Sequence, residues 1–130
     1  METAPLRGER LTALRHLHGL SQTQLAAELS VTQPFLSLVE RSERAFPETL
    51  AAAASGTYRI PRSFFTVPPE PSDAAPVTFR KKAAVSAQAE DRVVQTFREA
   101  SRLFRYVSEQ SGYKASELPD AGEFNFDPAA

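Results

Sequence analysis

An all-α fold is predicted for this 130-residue chain by three features of its sequence. Leu11, Leu14, Leu17 and Leu20 recur at helical spacing among polar neighbours. Ser21, Thr32 and Ser86, side chains suited to accepting free amides at a helix start, each stand just before a helix-compatible run. Later in the chain, Val93, Phe97, Ala100, Phe104 and Val107 recur at spacings of 4, 3, 4 and 3.

Taken in order, the leucine-rich stretch predicts a first helix over about residues 8–18, stopped by Gly19. Ser21 with Gln24 three positions on forms a capping box for a second helix whose apolar face is Leu25, Ala26 and Leu29. Thr32 caps a short third helix, about residues 33–40, with Pro34 tolerated in the first turn and Leu36 and Val39 facing inward. Pro47 opens a fourth through Leu50 and the alanines 51–54, with Gly56 as its expected stop. Ile60, Pro61, Phe64 and Phe65 predict a short last helix closing the core. Residues 1–66 therefore read as a domain of four or five small helices.

Residues 67–76 hold four prolines, which remove backbone donors and favour extended structure, so this stretch reads as a semi-rigid linker. Val77-Thr78-Phe79 alternates like a strand but is too short to decide. Ser86 then caps a long amphipathic helix to about Gln110, ended by Gly112, within a small C-terminal region over residues 77–114. Residues 115–130 combine acidic side chains with breakers and read as a mobile tail in which Phe124 and Phe126 are candidate docking points.

Composition narrows the function. Without cysteine there is no disulfide, thiolate nucleophile or cysteine zinc site. His16 and His18 are two apart and diverge on a helix, and no glycine-rich phosphate loop or nucleophile motif occurs. No enzyme activity, metal or cofactor is expected. A charged N-terminal stretch and the lack of a long apolar run make a cytoplasmic protein, with no membrane partner, the expectation. The net charge of −1 hides an uneven distribution. Residues 80–114 carry eight basic against four acidic side chains, and residues 115–130 carry four acids and no base. A local positive field of this kind is what a polyanion would meet.

Two short capped helices joined by a turn, inside a small helical domain, have the spacing of a helix-turn-helix. The residues Leu11 to Ala26, with Arg15, Gly19, Gln22 and Leu25, followed by Val31-Thr-Gln33-Pro-Phe-Leu36-Ser-Leu-Val39-Glu40, resemble the lambda-repressor-like (XRE) helix-turn-helix family over about residues 8–65. The chain departs from that pattern at Ser30 and Ser42, where the family often has glycine, and turns of different shape are expected there.

On the residues alone, Gln22 at the start of the second helix is placed for a phosphate, as are Thr32 and the basic Arg41 and Arg44. The third helix offers Gln33, Pro34, Ser37 and Leu38 to base edges: Gln33 as a bidentate partner for adenine, Ser37 as donor or acceptor, and Pro34 or Leu38 against a thymine methyl. Competing readings stand beside these. Gln33 and Ser37 also fit a solvated helix face, and Arg41 and Arg44 also fit local ion pairs with Glu40 and Glu43. The resemblance implies a structural pair between Arg15 and Glu40, and double-stranded operator DNA as the partner.

The second half is similar to the segment that follows the helix-turn-helix in bacterial and phage regulators fused to a zinc metallopeptidase, but no His-Glu-x-x-His motif is present. Arg80, Lys81 and Lys82 read either as extra phosphate contacts or as a solvated charge run. The stripe Val93, Phe97, Ala100, Phe104 and Val107 reads either as a homodimer contact or as the core of the C-terminal region. The function expected from these readings is a sequence-specific transcriptional repressor, of the kind that confers phage or mobile-element immunity. An antitoxin-like protein, holding a protein partner through residues 86–130 and binding DNA for autoregulation, is the alternative.

Overall fold

The computed structural model describes residues 3–70, 73–74 and 85–112. It is all-helical, with no strand among the described residues. Five α-helices follow in order: α1 (Gly8–Leu17), α2 (Gln22–Glu28), α3 (Gln33–Glu40), α4 (Glu48–Tyr58) and α5 (Ala87–Ser111), with a 3-10 turn at Arg62–Thr66 between the last two. Val77-Thr78-Phe79, Arg80, Lys81, Lys82, Phe124 and Phe126 lie outside the described residues. No described helix is long and apolar enough to cross a membrane.

The chain divides into two compact units, Met1–Arg98 and Glu99–Ala130, the division falling inside α5. In the first unit, Leu11 and Leu14 of α1, Leu25, Ala26 and Leu29 at α2, Leu36 and Val39 of α3, and Leu50, Ala51 and Ala54 of α4 form one buried cluster. Phe65 completes it, fully buried, with its ring edge-on to Phe46 and Phe64 at 5.4 Å between centroids. Arg10 holds the closing turn to α1, since its Nε donates to the Phe64 carbonyl at 2.9 Å and its guanidinium lies 4.2 Å above the Phe64 ring.

Local sequence explains where the helices start. Ser21 Oγ accepts from the Gln24 amide while Gln24 Oε1 accepts from the Ser21 amide, completing the capping box. Thr32 Oγ1 accepts from the Phe35 amide, with Pro34 in the first turn of α3. Ser86 Oγ accepts from the Ala89 amide at the start of α5.

The first four helices end alike. Gly19, Ser30, Ser42 and Arg59 all take left-handed φ, between 54° and 62°. At each end the following amide returns to a carbonyl five residues back: Leu20 to Arg15, Val31 to Ala26, Glu43 to Leu38 and Ile60 to Ser55. The turns at Ser30 and Ser42 thus keep the left-handed shape that glycine favours, contrary to the expectation of a different geometry. The predicted stop of α4 at Gly56 is also corrected. The helix runs through Gly56 to Tyr58 and ends at Arg59, two residues before Pro61, which cannot continue it.

The first half of α5 seats polar side chains on the first unit. Gln88 Nε2 donates to Gln24 Oε1 at 3.4 Å, and Asp91 Oδ2 lies 3.7 Å from His16 Nε2 on α1. Gln95 is buried. Burial pushes the His16 imidazole below its ordinary value of 6.5, Asp91 and Glu40 pull it up, and Arg15 and Arg98 push it down.

Two glycines in helices have opposite surroundings. A Cβ added at Gly8 would collide with the backbone carbonyl of Val39, so glycine is what lets α1 and α3 touch, whereas one at Gly56 would meet nothing within 4 Å. Gly8→Ala should destabilise by about 1–3 kcal/mol through overpacking, while Gly56→Ala should stabilise by up to about 1 kcal/mol through helix propensity. Urea denaturation of the two variants checks both signs. A second expectation follows from His16. Its lowered folded-state value means the unfolded chain binds the extra proton, so stability falls as pH drops below about 6.5. His16→Gln should flatten that slope when urea midpoints are compared from about pH 8 to about pH 5.

Candidate nucleic-acid interface

Helix α3 turns Leu36, Val39 and Glu40 into the protein. That leaves Pro34 exposed and Gln33, Ser37 and Leu38 half-buried on its outer side. Arg41 and Arg44, just past its end, are exposed.

The organising feature lies beneath that face. Glu40 is a carboxylate with only 4% of its side chain exposed, and Arg15 from α1 meets it as a fork, Nε to Oε1 at 2.8 Å and Nη2 to Oε2 at 3.2 Å. Arg15 Nη1 also donates to the Leu20 carbonyl at 3.2 Å, so the ion pair pins α1, the α1–α2 turn and α3 together. Gln22 at the start of α2 adds a third donor, Nε2 to Glu40 Oε2 at 2.8 Å.

This bond decides which way two side-chain amides face. Glu40 can only accept, so Gln22 must present its NH2 to it and its oxygen outward. Gln33 Nε2 then donates to Gln22 Oε1 at 2.8 Å. Gln33 is left with one N–H and its Oε1 outside this chain of bonds, and Gln22 with one N–H. An adjacent donor and acceptor on one planar amide match adenine N7 and N6 in the major groove, and a single N–H suits a phosphate oxygen.

Gln22 and Gln33, predicted to act separately, are therefore brought into direct contact. The Arg15–Glu40 pair implied by the resemblance is present. What sequence reasoning missed is the bond between the two glutamines, eleven residues apart, for which the only signal is that each opens a consecutive helix. Thr32 uses its hydroxyl oxygen in the α3 cap.

The arginines are exposed but engaged. Arg41 Nε reaches the Ser37 carbonyl at 3.4 Å, and its Nη2 lies 3.4 Å from Glu43. The Arg44 guanidinium lies 4.9 Å above the ring of Phe35, a residue half-buried against the core. The competing ion-pair reading is thus realised for Arg41 with Glu43, while Arg44 stacks on an aromatic ring. Exposed pairs of this kind are worth only about 0–1 kcal/mol.

The α5 residues Val93, Phe97, Ala100, Phe104 and Val107 are all exposed. They form no core among the described residues, and residues 77–84 and 113–114 of the C-terminal region lie outside those residues. No group of three or more His, Cys, Asp or Glu among the described residues is arranged to hold a metal ion. Comparison with known protein families, curated proteins and solved structures returns no match.

Glu40→Ala should destabilise the protein by about 3–5 kcal/mol, because Arg15 then keeps its buried charge without a counter-ion. Thermal unfolding measures the loss, and the Gln22 and Gln33 side-chain amide signals in NMR should collapse toward solvent-exposed positions.

Proposed function

We propose that this chain is a sequence-specific DNA-binding transcriptional repressor that reads duplex DNA through the outer face of α3. The observation that carries the reading is the Gln33 amide, oriented through Gln22 by the buried Glu40 and leaving a donor and an acceptor for a base edge. Pre-orientation matters because a side chain already held in place loses little entropy on binding.

The surroundings support the same partner. Arg41 and Arg44 stand exposed just past the C-terminal end of the reading helix, as basic side chains suited to flanking phosphates. Pro34 offers an exposed apolar surface beside Gln33, suited to a thymine methyl group. The helix order, the capping box at Ser21 and the Arg15–Glu40 pair agree with the lambda-repressor-like resemblance stated above. Repression follows from occupancy: a small protein seated in the groove excludes other proteins from that site. The finer assignment, an immunity repressor of a phage or mobile element, rests on that resemblance.

The experiment is selection of bound duplexes from a random pool, followed by binding titrations of variants on selected and scrambled DNA. Gln33→Ala should lose about 1–3 kcal/mol on the selected sequence and little on scrambled DNA. Arg41→Ala should weaken binding to both alike and reduce the logarithmic salt slope by about one. Equal losses on both sequences from Gln33→Ala would remove it from base reading, and no enriched sequence at all would sink the proposal.

A further inference from the structure

Helix α5 is amphipathic in an unusual sense for a chain alone in water. Its polar residues Gln88 and Asp91 meet Gln24 and His16, and Gln95 is its buried residue. Within this stretch the apolar Val93 and Phe97 are exposed. Because α5 is continuous from Ala87 to Ser111, helical periodicity alone places Val93, Phe97, Ala100, Phe104 and Val107 on one stripe with Leu103 on its flank. Val93, Phe97, Leu103, Phe104 and Val107 are each between 51% and 73% exposed. A contiguous patch of this kind, rimmed by polar residues, is characteristic of an interaction surface.

The pattern of charge identifies the occupant. From residue 93 to residue 110 all five charged side chains of α5, Arg98, Glu99, Arg102, Arg105 and Glu109, fall on the half of the helix away from the stripe. The flanking positions are Val94, Thr96, Ser101, Leu103, Ser108 and Gln110. Such a face offers nothing to a polyanion or to a charged partner surface. It meets a copy of itself without like-charge repulsion, as a two-fold interface requires.

Spacing and area agree. The 4, 3, 4, 3 recurrence is the seam of a helix pair in which side chains of one helix enter the gaps of the other. Read from either end, the stripe runs Val, Phe, Ala, Phe, Val about Ala100, which puts the smallest side chain where two helices would approach most closely. The five large side chains expose on the order of 500 Å² in one chain, so full pairing of two chains removes up to about 1,000 Å², near the lower bound for a specific interface. We infer that this face of α5 is the interface of a homodimer, two α5 helices crossing at Ala100. An interface at that bound gives a dimer that dissociates on dilution.

The test uses the full chain in sedimentation equilibrium over about 1 to 300 µM, a range that brackets micromolar association. The mass should rise from one chain to two. The double variant Phe97→Ser, Phe104→Ser should weaken association at least tenfold with its helical circular dichroism unchanged, since neither side chain belongs to the core. Because the sequence has no cysteine, Ala100→Cys gives a single thiol, which should link two chains on mild oxidation, whereas Glu109→Cys on the far side of α5 should not. A wild-type chain that stays monomeric throughout would overturn the inference and leave the face to another segment of the chain or to a different protein. A dimer indifferent to the double variant, or linked as readily through position 109, would overturn it too.

Discussion

The contact between Arg15 and Glu40 is the constraint on which the rest of the first unit depends. A carboxylate that far from water is tolerated only when its lone pairs are filled, and here two guanidinium nitrogens and one amide fill them. Because the donors come from α1 and α2 and the acceptor from α3, satisfying one charge fixes three helices. The apolar cluster around Phe65 supplies attraction without direction. The ion pair supplies direction, and through Gln22 it carries that direction to the surface.

Such an arrangement would link stability to the base reading proposed for Gln33. The groups that position Gln33 are the same ones that hold α1 and α3 in register, so the surface amide inherits the rigidity of the interior. It also makes the two glutamines a unit. Replacing Gln22 with a residue lacking a side-chain acceptor would free the Gln33 amide to rotate, though Gln33 itself is unaltered.

Much of this was readable from the chain because capping is local. Ser21, Thr32 and Ser86 each satisfy amides three residues away, so α2, α3 and α5 begin where their side chains predict. Helix ends were less readable. Gly56 has no steric need to stop α4, and the stop depends on Pro61 and a left-handed Arg59, which composition does not reveal. Glu40 near the end of a surface helix reads as solvated by itself, and only the resemblance pointed to Arg15. The Gln22–Gln33 bond was hidden because it joins two helices whose separation is a tertiary fact. For α5, periodicity showed that an apolar face exists but not which side meets the protein. The polar contacts of Gln88 and Asp91 decide that, and no local rule contains them.

The left-handed helix ends have a bearing on how the protein fares in a cell. Ser30, Ser42 and Arg59 hold a conformation that costs an L-residue roughly 1–2 kcal/mol each relative to ordinary backbone. A small domain is stable by only about 5–15 kcal/mol in total, so the cost of three such positions is a sizeable share of that margin and raises the fraction of molecules transiently open. Proteases act on that open fraction. The lifetime of the chain, and hence the speed with which its level falls once synthesis stops, is thereby tied to three backbone turns, one of which, at Ser42, stands between Arg41 and Arg44.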